Sequence, residues 1–158
     1  MILGRITLTG LLAIAGASSF AIAAEPETDM ECFDTVVFAT IGRQIPSELP
    51  KAEPDTIIMS WPWFLDLNVQ EVLRGQAPMG RLTVLSVQHT YIRENLGPQR
   101  WWLRRNSLGA FNALTFGDGG KDLARCKAGT SPAEPYIEPP EGKSLADFIR
   151  ETERANRK

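Results

Sequence analysis

Trp61-Pro62-Trp63-Phe64-Leu65-Asp66-Leu67-Asn68-Val69-Gln70-Glu71-Val72-Leu73-Arg74-Gly75 carries the strand signal from which the rest of the chain is read. Trp63, Leu65, Leu67 and Val69 fall on one face and Asp66, Asn68 and Gln70 on the other, the period of two that a half-buried strand requires. The β-like run begins at Thr56 and is interrupted at Pro62, which has no N–H for a ladder. Its phase slips at Glu71-Val72-Leu73, as an inserted bulge residue would make it. Arg74 to Gly80, with Gly75, Pro78 and Gly80, reads as a turn, and Arg81 to His89 as the returning strand, so the two form a long hairpin.

Working outward, Asp34 to Ile41 is rich in β-branched and aromatic residues and stops at Gly42, which predicts a strand. Gln44 to Asp55 holds Pro46, Pro50 and Pro54 and reads as a loop. Thr90 to Arg100, with Gly97-Pro98, is a second loop. Trp101 to Arg105 and Leu108 to Phe116 then supply two shorter β segments, and Gly117 to Lys121 a glycine-rich turn. Short strands, long excursions and no strong central helix predict an all-β chain: a small five- to six-stranded OB-like barrel with a C-terminal helix.

Composition changes after Cys126. Residues 128–143 contain Pro132, Pro135, Pro139 and Pro140 and little that could be buried, so they read as a semi-extended linker. Ser144 and Asp147 approximate a capping box, and Leu145, Phe148 and Ile149 form one narrow apolar stripe, which predicts a helix in 144–158 whose charged end frays. The barrel is expected over 30–127.

At the other terminus, Arg5 precedes an apolar run from Ile6 to Phe20, and Ala21-Ile22-Ala23 offers the small residues a signal peptidase needs. The run is shorter than the roughly twenty residues of a membrane-spanning helix. Residues 1–23 therefore read as a cleaved signal peptide, the mature protein as exported, periplasmic or secreted, with no stable membrane span. In that oxidising setting Cys32 and Cys126 are expected to pair in one disulfide. The sequence holds 17 Lys and Arg against 19 Asp and Glu, and Arg5 leaves with the leader. A net negative mature chain argues against a nucleic-acid partner, whose affinity rests on neutralising phosphates.

Catalytic sets are sparse. His89 is the one histidine, and without a second histidine or a cysteine cluster a zinc site is not expected. No Gly-x-Ser-x-Gly elbow occurs. Asp66 and Glu71 lie near one another on a strand and could be drawn as an acid/base pair, or with His89 as an envelope hydrolase, but polar residues on a half-exposed face read equally as surface. Gly117 to Lys121 lacks the spacing of a phosphate loop. No cofactor is expected.

The tryptophans carry more. Trp61 and Trp63 bracket Pro62, while Trp101 and Trp102 are adjacent and must face opposite sides of a strand. They read either as barrel core plus an indole under a loop, or as an exposed platform on which Arg104 and Arg105 supply donors. The candidate ligand-binding residues are therefore Trp61, Trp63, Trp101, Trp102, Arg104 and Arg105.

The run Asp34-Thr35-Val36-Val37-Phe38-Ala39-Thr40-Ile41, then Leu65 to Gly75 with its Val-x-Glu-Val-Leu-x-Gly turn at Val69 to Gly75, then Leu82-Thr83-Val84-Leu85, resembles the first three strands of the tissue-inhibitor-of-metalloproteinase and netrin-module superfamily. The resemblance implies an OB-type barrel. In that superfamily's inhibitors a cysteine at the mature amino terminus chelates the target's zinc. Cys32 lies inside the predicted cleavage point, so the fold carries over and the inhibition does not.

The expected function is that of an exported, non-enzymatic binding module whose partner is a protein or glycan of the cell envelope. The alternatives are an envelope hydrolase and a structural protein that docks through its C-terminal tail.

Overall fold

The computed structural model describes residues 32–51 and 55–157. The signal-peptide reading therefore lies outside the described residues, as does Pro54. Among the described residues five strands form, β1 (Thr35–Pro46), β2 (Trp61–Arg74), β3 (Gly80–Gln88), β4 (Gln99–Arg105) and β5 (Phe111–Phe116). One helix, α1 (Leu145–Asn156), follows. The sheet closes into a barrel in the order β1-β2-β3-β5-β4, the expected all-β OB-like architecture. Neighbours are antiparallel except β3 and β5, which are parallel and joined at Leu85 and Asn112.

The alternation in β2 works as its pattern requires. Leu65, Leu67 and Val69 point into the barrel with Val37, Ala39, Ile41, Val84, Leu103 and Phe111. Each such side chain withdrawn from water contributes about 1.5–3 kcal/mol. Phase slips occur on both strands of the β1–β2 pair. On β2, Gln70 and Leu73 have no partner in β1; Leu73 falls within the expected slip at Glu71-Val72-Leu73 and Gln70 one residue before it. On β1, Gly42 and Arg43 stand together opposite Asp66, between the pairs Ile41–Leu67 and Gln44–Leu65.

That second bulge corrects the reading of Gly42 as a strand end and of Gln44 to Pro46 as loop. The extra residue re-phases β1, which then continues until Pro46 pairs with Trp63. Pro62 likewise lies inside β2, not at an interruption. Its carbonyl accepts from the Ser47 N–H at 3.1 Å, so its missing N–H faces the edge where β1 has ended. Thr56 to Ser60, expected as strand, precedes β2 and is irregular, with Ile57 and Met59 exposed.

Two apolar clusters lie outside the barrel wall. Phe33, Val36 and Trp102 are covered by Leu114 and Leu123. Ile45, Phe64 and Leu85 are covered by Tyr136, Ile137, Leu145, Phe148 and Ile149. The helix stripe thus lies against the chain's own barrel, with the Phe64 and Phe148 rings edge to face at 5.5 Å. The proline-rich segment forms no helix or named strand, and it is not bare. Ala133 bridges Asn106, and Tyr136 and Ile137 are partly buried, contrary to the expectation that this stretch holds little to bury.

Ser144 caps α1 by accepting from the Asp147 N–H at 3.2 Å. The end expected to fray is helical to Asn156, whose amide donates to the Pro46 carbonyl at 2.8 Å, while Glu153 pairs with Arg43. The expected disulfide is present: Cys32 and Cys126, 94 positions apart, have Cα atoms 4.9 Å apart. It ties the entry of β1 to the segment after β5, where Phe33 bridges Arg125. Among the described residues, no helix is long and apolar enough to cross a membrane.

Candidate ligand-binding site

The end of β1, the start of β2, the end of β3, the start of β4 and the end of β5 meet at one end of the barrel, where the pairs Pro46–Trp63, Trp63–Ser86, Trp61–Gln88 and Trp101–Phe116 lie. Aromatic rings gather there. Trp61 and Trp63 are 5.2 Å apart, Trp63 meets Tyr91 edge to face at 4.7 Å, and Trp101 stacks on Phe116 at 4.8 Å. Residues 89–98, with a single 3-10 turn at Glu94–Leu96, cross this end from β3 to β4.

β3 and β5 share only the pair Leu85–Asn112, so beyond it the two strands part. The gap is a cleft of about 460 Å³, lined among others by Ser86, Gln88, Tyr91, Trp101, Thr115 and Phe116. That volume lies within the small-molecule range. His89 and Arg93 also border it, and among the described residues no carboxylate does.

Gln88 reaches this wall by strand arithmetic. Leu82, Val84 and Ser86 alternate inward along β3, and Gln88 is the next inward position. It is 7% exposed, and neither its amide oxygen nor its amide nitrogen has a hydrogen-bond partner among the described residues. The indole Nε1 of Trp101 is in the same condition. A buried polar group without a partner costs about 1–3 kcal/mol, and native proteins keep few of them. Both residues line the cleft, but these atoms are buried behind its surface, so a ligand would reach them once the side chains turn toward it.

The other end of the polar inventory is saturated. Asn106 donates to Asn112 at 2.9 Å and accepts from the N–H groups of Leu108 and Ala110, while Asn112 donates to the Glu134 carbonyl at 2.7 Å. Asp66 accepts from Arg43 at 3.1 Å, Arg81 at 2.7 Å and Thr83 at 2.5 Å.

The residues singled out from the sequence do not share one surface. Trp63 and Trp101 face the barrel interior at the cleft end, and Trp61, half-buried, touches Trp63. Trp102 lies on the outer side of the wall under the backbone of Gly120. It borders a separate depression of about 400 Å³ with Arg74, Arg100 and Lys121 at the rim. Arg104 is 8% exposed and held by both carboxylate oxygens of Asp34 at 3.1 Å and by the Ser131 carbonyl. Arg105 is exposed, with its guanidinium 4.8 Å from the centre of the Phe111 ring.

The acid/base set is also dispersed. Asp66 pairs with Thr83, and His89 lies six positions further along the chain, about 20 Å at strand rise. Glu71 lies beyond Val69, which pairs with Gly80 at the opposite end of β3. Gln88, Tyr91 and Phe116 were not singled out from the sequence. A polar residue continuing an inward apolar series was the available signal for Gln88; the proximity of Tyr91 and Phe116 had none.

A scan against models of known protein families found no match, and comparisons with curated proteins and with solved structures found none either.

Proposed function

We propose that this chain is an exported, non-enzymatic binding module of the cell envelope, and that the cleft between β3 and β5 receives its ligand, a glycan or a protein segment. The unpartnered Gln88 amide in the cleft wall is the observation that carries this reading. Aromatic rings beside it supply apolar area and flat faces, while the amide and the Trp101 indole supply orientation, the usual division of labour in a small-ligand site. The apolar, small-residue leader and the Cys32–Cys126 disulfide support export, since such bonds persist in oxidising compartments. The barrel order agrees with the OB-type fold implied by the resemblance to the tissue-inhibitor-of-metalloproteinase and netrin-module superfamily, and kinship at the level of fold belongs to the same proposal.

Envelope extracts and purified cell-wall fragments titrated into the disulfide-bonded protein, followed by tryptophan fluorescence, test the proposal. Trp101 lines the cleft and reports its occupancy. A saturable change that is abolished by Ala113→Trp, which adds bulk at a buried cleft position, is expected, with native far-ultraviolet circular dichroism showing that the variant keeps the barrel. A response unaffected by that substitution, or none in any fraction, overturns it.

A further inference from the structure

Resting on that binding reading, we infer that the cleft is built for an acetamido group, and that its ligand class is an N-acetylated sugar. The primary amide of Gln88 offers one acceptor and two donors side by side, and both of its ends are unpartnered here. With the side chain turned toward the cleft, the group that matches such a pair is another amide, whose N–H would donate to Gln88 Oε1 while its carbonyl accepts from Gln88 Nε2. Trp101 Nε1 can only donate, which suits the second lone pair of that carbonyl or a ring hydroxyl.

The surroundings narrow the carrier of the amide. Ala113 and Leu96 give an apolar lining for a methyl group, and Tyr91 and Phe116, packed against Trp63 and Trp101, put aromatic carbon beside it for a pyranose. With no carboxylate on the wall among the described residues and with His89 and Arg93 beside it, an amino sugar without its acetyl group is disfavoured. The cleft is bounded where β3 and β5 join at Leu85 and Asn112 and again by the 89–98 crossing.

The test is a fluorescence titration of the disulfide-bonded protein with N-acetylglucosamine and its β-1,4-linked disaccharide, against glucose, glucosamine and N-acetylalaninamide. The acetylated sugars are expected to bind at least about tenfold more tightly than glucose and glucosamine, the loss that one unmade hydrogen-bonded pair produces. Gln88→Leu is expected to erase that preference. Gln88→Met, of similar length and without either hydrogen-bonding end, provides a second reading should the leucine variant fail to fold. Equal binding of glucose and N-acetylglucosamine, or an unchanged preference in a folded Gln88 variant, overturns the inference. Binding of N-acetylalaninamide alone, blocked by Ala113→Trp, would leave the binding module standing and remove the sugar. Silence from these probes with a cleft-dependent response to cell-wall fragments would do the same, whereas silence throughout removes both.

Discussion

Gln44 holds Ile92 by both ends of its side-chain amide: Nε2 donates to the Ile92 carbonyl at 2.8 Å, and Oε1 accepts from its N–H at 2.9 Å. One side chain of β1 thereby fixes the segment that crosses the barrel end and sets the position of Tyr91 beside the cleft. Gln44 and Gln88 are the two buried glutamines of this end, and only the first is satisfied by the protein.

Gln44→Ala should therefore release the 89–98 crossing while leaving the barrel closed. The expected cost is about 1–3 kcal/mol, because two backbone groups lose partners. Urea denaturation measures the cost, and hydrogen exchange at the Ile92 amide measures the release. Unchanged protection of that amide would show that the clamp contributes nothing.

Gly120 is the second pressure point. A Cβ placed there would lie 2.0 Å from Cδ2 of Trp102, a distance no neighbour tolerates without moving. Gly120→Ala is expected to destabilise the protein by about 1–3 kcal/mol through overpacking and to shift the near-ultraviolet circular dichroism of Trp102. The cleft beneath Trp101 lies on the other side of the wall, so ligand affinity should survive.

The disulfide closes a loop of 94 positions. In the chain-entropy model its removal costs about 4–5 kcal/mol, a large share of the 5–15 kcal/mol that holds a typical domain together. The Cys32→Ser, Cys126→Ser double variant should show a correspondingly lower urea midpoint. A midpoint within error of the native protein would contradict this.

The carboxyl of Glu153 is held below its ordinary value near 4.5 first by a hydrogen bond from Arg157 and then by one from Arg43. A group whose folded-state pKa is depressed stabilises fully above its unfolded pKa and loses that contribution as pH falls through the folded one. The docking of α1 on β1 should therefore weaken as pH drops below about 4.5. Comparing thermal midpoints of the native protein and Glu153→Gln from pH 3 to 7 checks this. The two curves should separate at neutral pH and converge in acid, and a constant gap would refute the assignment.

Much of this architecture was legible because backbone periodicity is local. The alternation in Trp63 to Val69 specified a strand and its buried face, and Ser144 with Asp147 specified where a helix starts. Pro46 and Pro62 misled because a proline forbids a ladder donor only on an edge that needs one, and which edge is paired is a property of the closed barrel. The tryptophans illustrate the same limit. Opposite facing of Trp101 and Trp102 follows from strand geometry, but which side opens to a cleft and which lies under Gly120 depends on residues far along the chain.

The amino-acid sequence by itself determined the strands, the hairpin, the helix cap and the pairing of two cysteines, since these rest on propensities and spacings within short windows or on a count that leaves one partner. Only the tertiary structure decided that β3 and β5 part after a single bridge, that the helix covers its own barrel, and that Gln44 is satisfied while Gln88 is not. Those outcomes are set by barrel closure, which brings distant backbone and side-chain groups together and leaves some of them over.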